Sequence, residues 1–107
     1  MVQNTSYQNC IEACQECAAE CLSNVVSMLG KKSDNACPKC CLECAAICRL
    51  CVEMMAIDAK FASEACRLCV KVCEWCAEQC AAHDHDHCQQ CAESCRRCVE
   101  ACQSVAK

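Results

Sequence analysis

The chain has 107 residues, a formal charge of −4 and twenty cysteines, but one glycine, one proline and three aromatic residues. That length supports one domain with a single core, and scattered basic residues with so few aromatics exclude a nucleic-acid surface. No segment is apolar for long enough to span a bilayer, and Met1–Asn9 has neither the positive nor the apolar run of an export signal, so the expectation is a cytoplasmic protein in which thiols stay reduced and abundant cysteine points to metal.

The first predicted helix runs from about Ser6 to Leu29 and carries Cys10, Cys14, Cys17 and Cys21. Steps of four and three stack these side chains on one helical face, where a coiled-coil seam carries leucine. Continuing the seam reaches Asn24 and Met28. Gly30, followed by Lys31 and Lys32, is the expected stop. A second apolar stripe, Tyr7, Ile11, Ala18, Leu22, Val25 and Leu29, lies beside the seam and favours self-association where it stays uncovered.

Ser33, Asp34 and Asn35 supply caps for a second helix with Pro38 in its first turn. It carries Cys37, Cys41, Cys44, Cys48 and Cys51 and reaches about Ala56. Cys40 sits one residue off this seam, placed to pair with Cys44 or to lie at a helix interface. Ser63 and Glu64 open a third helix, ending near Ala82, with Cys66, Cys69, Cys73, Cys76 and Cys80. After the segment His83, Asp84, His85, Asp86, His87, a fourth helix capped by Asp86 runs to about Val105 with Cys88, Cys91, Cys95, Cys98 and Cys102. Glu93 with Arg97, and Arg96 with Glu100, are spaced as ordinary exposed helix pairs.

Only 17 residues are Leu, Ile, Val or Phe, a level at which disorder becomes a serious reading. Periodicity and abundant helix formers argue against it. Short connections make neighbouring helices antiparallel, so the predicted fold is all-α, an up-down-up-down antiparallel four-helix bundle with a cysteine-lined core, one unit over residues 1–107. That topology gathers the first loop, the histidine segment, Cys37, Cys80, Cys88, Asn24 and Met28 at one end. The termini and the Met55–Ala62 turn lie at the other, where Met55 extends the seam as a plug.

Within one helix, β-carbons three or four residues apart stand about 5 to 6 Å from each other, too far for the roughly 3.5 to 4.5 Å of a disulfide, although pairs between helices can close. Thiols used only as filler forfeit roughly 1 kcal/mol each relative to leucine. Most of the C-x-x-C pairs lie mid-helix, facing inward, rather than at a helix amino terminus, so redox catalysis is not expected.

Metal binding remains, and charge selects the metal. Four-thiolate zinc sites keep about two negative charges each, expensive in a dry interior. Soft monovalent ions at about one per thiolate leave the core near neutral, and Cu(I) matches thiolate in softness. Two- or three-sulfur sites need only neighbours on one helix, whereas tetrahedral sites require three or four helices to converge at every level. The ferredoxin spacing is absent. The alternatives are a thiol redox buffer or peroxide scavenger, and metallothionein-like zinc sequestration.

Cys66-Arg-Leu-Cys69 through Cys80, His83-x3-His87-Cys88, Cys91-Ala-Glu-Ser-Cys95-Arg-Arg-Cys98 and Cys10-Ile-Glu-Ala-Cys14-Gln-Glu-Cys17-Ala-Ala-Glu-Cys21 together resemble the cytosolic four-helix-bundle copper storage proteins. The resemblance covers nearly the whole chain. It implies storage of many Cu(I) ions without catalysis, with the nineteen seam cysteines as ligands, His83 and His87 near the open end, and a homotetramer. His85 has no firm counterpart in that pattern. Cys40 and Met28 join the candidate ligands by position, and a cytosolic copper chaperone is a candidate partner. Ions are expected to enter by His83, His87 and Met28, since neutral imidazole can take Cu(I), and to pass inward by thiolate exchange.

Overall fold

A computed structural model describes residues 5–106 and contains four helices: α1 (Thr5–Ser27), α2 (Lys39–Ala56), α3 (Ala62–Ala81) and α4 (Asp86–Gln103). Residues 1–4 of the Met1–Asn9 segment, and residue 107 at the far limit of the expected unit, lie outside the described residues. Each helix packs on its chain neighbours, α1 also packs on α4, and the pairs α1–α3 and α2–α4 stand across the diagonals. The result is the expected up-down-up-down bundle, 46 × 20 × 17 Å, one helix long and two helices across.

The helix ends show where local signals held. Gly30, at φ 80°, follows α1 as expected, and with nothing within 4 Å of the place a Cβ would take, backbone conformation is the reason for glycine there. Helix α2 ends in a Schellman motif: the N–H of Ala59 donates to Met54 O (2.8 Å) and that of Asp58 to Met55 O (3.1 Å). Asp58 takes the left-handed position, φ 49°, usually held by glycine.

The amino-terminal caps are corrections. Pro38, Phe61 and His85 occupy the capping positions of α2, α3 and α4, and none makes a side-chain capping bond. Pro38 therefore precedes α2 rather than sitting in its first turn, Ser63 lies inside α3, and Asp86 is the first residue of α4. The expected caps Ser33 and Asn35 are engaged within the loop: the Asn35 N–H donates to Ser33 Oγ (3.4 Å), and the Cys37 N–H to Asn35 Oδ1 (3.0 Å). Asn35 Nδ2 also donates to Gln79 O (2.9 Å), lashing the α1–α2 loop to the end of α3.

All twenty cysteines face inward, none more than 1% exposed, and all are free thiols. Buried Ala45, Ala77 and Ala92 let the helices approach closely around them. Met55, Ala62 and Val105 are buried at the end holding the α2–α3 turn, with Met55 as the expected plug. Of the second α1 stripe, Ala18 is buried and Tyr7, Ile11 and Val25 are half-buried, while Leu22 and Leu29 stay exposed. Arg97 reaches Glu93 (3.8 Å) as expected and, more closely, Glu16 across the α1–α4 interface (2.8 Å). Arg96 and Glu100 do not form the expected pair.

Candidate metal centre

The sulfurs form one continuous column. At the open end Cys37, Cys40, Cys41 and Cys80 bring four Sγ atoms within 4.8 Å of one another. Below them come Cys21, Cys76, Cys91 and Cys95, then Cys17, Cys21, Cys44 and Cys95, then Cys17, Cys48, Cys73 and Cys98, then Cys14, Cys69, Cys98 and Cys102. Cys66 interacts with Cys10, Cys51 and Cys102 at the closed end, where Cys10 and Cys102 approach to 2.7 Å. Cys17, Cys21, Cys95 and Cys98 each belong to two of these quartets. The four lower quartets therefore share sulfurs, and the open-end quartet meets them through Cys40 and Cys76, 3.5 Å apart.

One expectation from spacing fails here. The quartet of Cys17, Cys48, Cys73 and Cys98 takes one sulfur from each helix. Four-sulfur sites are thus sterically within reach, because register across the bundle sets these distances and spacing along one helix does not. Cys40 resolves too: its sulfur turns away from Cys44 and toward α3, 3.5 Å from Cys76 and 4.0 Å from Cys80.

A polar cap covers the open end. Asn24, 1% exposed, points Nδ2 at the sulfurs of Cys41 (3.4 Å), Cys37 (3.6 Å) and Cys80 (3.8 Å). Its Oδ1 accepts from His87 Nδ1 (2.6 Å) and from the Cys88 thiol (3.5 Å). An amide oxygen can only accept, so the His87 proton sits on Nδ1. Nε2 of the same ring then accepts from Lys31 Nζ (2.9 Å). Buried Met28 completes the cap, its Sδ 3.6 Å from Cys88 Sγ.

The histidines thus divide. His87 reaches the column, while His83 is held by the loop through Asn35 Oδ1 (3.0 Å) and Ser33 Oγ (3.2 Å). Exposed His85 stacks between them, its ring centroid 6.3 Å from that of His83 and 5.1 Å from that of His87. Asn24 was visible in the sequence as a polar residue in the cysteine rhythm. Lys31 had no such signal, since a lysine after Gly30 reads as a helix stop.

Protonation follows from burial. The Cys37 thiol is pushed up to about 12, first by desolvation and then by Cys41 and Cys40 beside it. Cys88 is raised for the same first reason. Cys76, hydrogen-bonded to Cys21, Cys40 and Cys41 and buried besides, also stays above the ordinary thiol range. His87 is lowered by burial, then by the charges of Lys31 and His85, which keeps its imidazole neutral.

Charge decides what this column can hold. Among the described residues the only buried polar side chains are Asn24 and Ser94, and neither carries charge. Twenty thiolates filled by four-coordinate divalent ions keep a charge of about −10, whereas one monovalent ion per thiolate leaves about zero. An uncompensated interior charge of the first size opposes folding strongly. Shared sulfurs suit bridging thiolates and monovalent soft ions.

The sequence pattern of the copper storage protein (Csp) family matches residues 2–107. An uncharacterised cysteine-rich protein of Bacillus subtilis is 42% identical over 98 residues, covering 92% of this chain and 87% of that protein. The structure of Cu(I)-bound copper storage protein BsCsp3 of Bacillus subtilis superposes with a TM-score of 0.90 at 40% identity, over 96% of this chain and 100% of that one. A cytosolic copper storage protein from Streptomyces lividans, solved with five coppers, gives a TM-score of 0.87 at 30% identity, over 94% of this chain and 92% of that one.

Proposed function

Because the chain belongs to the copper storage protein family, we propose that it sequesters many Cu(I) ions on the thiolates of its interior, about one per cysteine. The carrying observation is the run of closely spaced sulfur quartets, four of them linked by shared sulfurs, in a core that among the described residues holds no buried positive charge. The ligands in this reading are the nineteen seam cysteines with Cys40, joined at the open end by Met28, His83 and His87. Only His87 is preset against the column, so His83 serves further out, as a first contact for arriving ions.

The protein is a store and not a catalyst: most C-x-x-C pairs lie mid-helix, and Cys88–Cys91, at the start of α4, is buried like the rest, which gives no reactive thiol access to a substrate. The site of action is the cytosol, a reading supported by the Streptomyces lividans relative, described as cytosolic. No helix among the described residues is long and apolar enough to cross a membrane. Exposed Leu22, Val26 and Leu29 on one side of α1 and its carboxyl-terminal turn support self-association, with a homotetramer as the assembly. A cytosolic copper chaperone is the proposed donor.

Anaerobic Cu(I) titration against a chromophoric chelator, with metal analysis of the isolated complex, tests this reading. About twenty ions per chain, one for each cysteine, are expected. Preferential filling by about one divalent ion per four cysteines favours zinc sequestration, and rapid reversible thiol loss to mild peroxide without metal favours a redox buffer.

A further inference from the structure

Lys31 lies outside the sulfur chemistry, yet it holds the ring nearest the column. Its ammonium donates to His87 Nε2 at 2.9 Å while Asn24 Oδ1 takes the Nδ1 proton at 2.6 Å, so both ring nitrogens are engaged. Asn24 in turn donates to the first sulfurs, closest to Cys41 at 3.4 Å. The turn after α1 fixes the start of this chain of bonds, since the Lys31 N–H donates to Met28 O at 3.0 Å. A cation arriving here meets a positive charge and an imidazole whose lone pair is already used.

We propose that Lys31 is a latch on the column: a positioning residue that holds His87 against Asn24, so that an ion uses this imidazole only after displacing the ammonium. This rests on the reading that Cu(I) enters and leaves at the open end. A latch of this kind acts on rates in both directions and leaves capacity and equilibrium affinity of the deep sulfurs unchanged, because Lys31 touches none of them. Direct charge repulsion without His87 is the competing account, and the two separate by experiment.

The test uses the full chain with Lys31→Leu, which keeps an aliphatic side chain and adds no metal donor, and Lys31→Arg, which keeps charge and donor. Lys31 is exposed, so neither change disturbs the core. Stopped-flow loading from a Cu(I)–chelator complex and extraction by excess chelator should both run about tenfold faster in Lys31→Leu, the scale of one lost charge-assisted bond. Capacity should stay constant, Lys31→Arg should behave as the parent, and the acceleration should vanish in a His87→Ala background. In the empty protein, long-range proton–nitrogen spectra should show a pure Nδ1–H tautomer for His87 that becomes mixed in Lys31→Leu. Unchanged or slower exchange, acceleration that persists without His87, failure of arginine to restore the rate, or an unaltered tautomer overturns the latch. A parent chain that binds few Cu(I) ions overturns the storage reading instead.

Discussion

The two ends of the bundle close the same column of sulfur with different chemistry. At the α2–α3 turn, Met55, Ala62 and Val105 seal it with apolar side chains. At the histidine segment an amide, an imidazole, a thioether and an ammonium cover it, each in contact with the next or with sulfur. An ion held by thiolates can leave only by exchange onto another donor, and the open end presents several. Thiols line both ends; on the proposed reading, the difference between the caps gives ion traffic its direction.

Filling the column is the largest lever on this comparison. Metal that binds only the folded state stabilises it, so Cu(I)-loaded protein is expected to melt more than about 10 °C above the empty form in anaerobic circular-dichroism scans. Equal melting temperatures break the comparison, since neither end then guards anything. Next come the caps themselves. Met55→Ala should lower the stability of the empty bundle by about 2 to 4 kcal/mol, read by chemical denaturation, while leaving the loading rate alone. His83→Ala with His87→Ala should slow loading on the order of tenfold, a larger effect than any loss of capacity. Faster loading after the first change would make the closed end a second entrance; an unaltered rate after the second would remove the first.

The smallest effect concerns protons at the open end. Burial holds Cys37 at about 12 when folded, against about 9 for a thiol in water. As pH rises through that window the unfolded chain releases the proton first, the folded state keeps it, and stability of the empty protein falls from about pH 9 toward 12. Cys88, raised in the same sense, adds to the fall. Denaturation of reduced, metal-free protein at pH 8 and pH 10 checks it. The same protons must leave when Cu(I) binds, so apparent affinity should rise with pH; a flat profile would mean that these sulfurs are already ionised.

Much of this was legible in the sequence, for a local reason. Cysteines at steps of three and four must share a helical face, and a chain with so few large apolar residues has nothing else to bury there. Helix starts were harder to read. Ser33 and Asn35 resemble caps, but they bond within the loop, and Asn35 also bonds Gln79, 44 residues further on in α3, so only the fold reveals that they are taken. Asp58 ends α2 in a backbone conformation usually marked by glycine, and it left no signal. Four-sulfur groups such as Cys17, Cys48, Cys73 and Cys98 were not legible, because spacing along one helix carries no register between helices.

Sequence by itself determined four helices, the face each buries, the number of sulfurs and the charge that any filling must cancel. These follow from hydrogen bonds four residues apart and from composition, which no packing arrangement alters. Tertiary structure decided which sulfurs meet, that Cys40 turns toward α3, and that Lys31 covers a ring 56 residues away. Those depend on the axial offset and rotation of one helix against another, quantities set by loops and interdigitating side chains across the bundle.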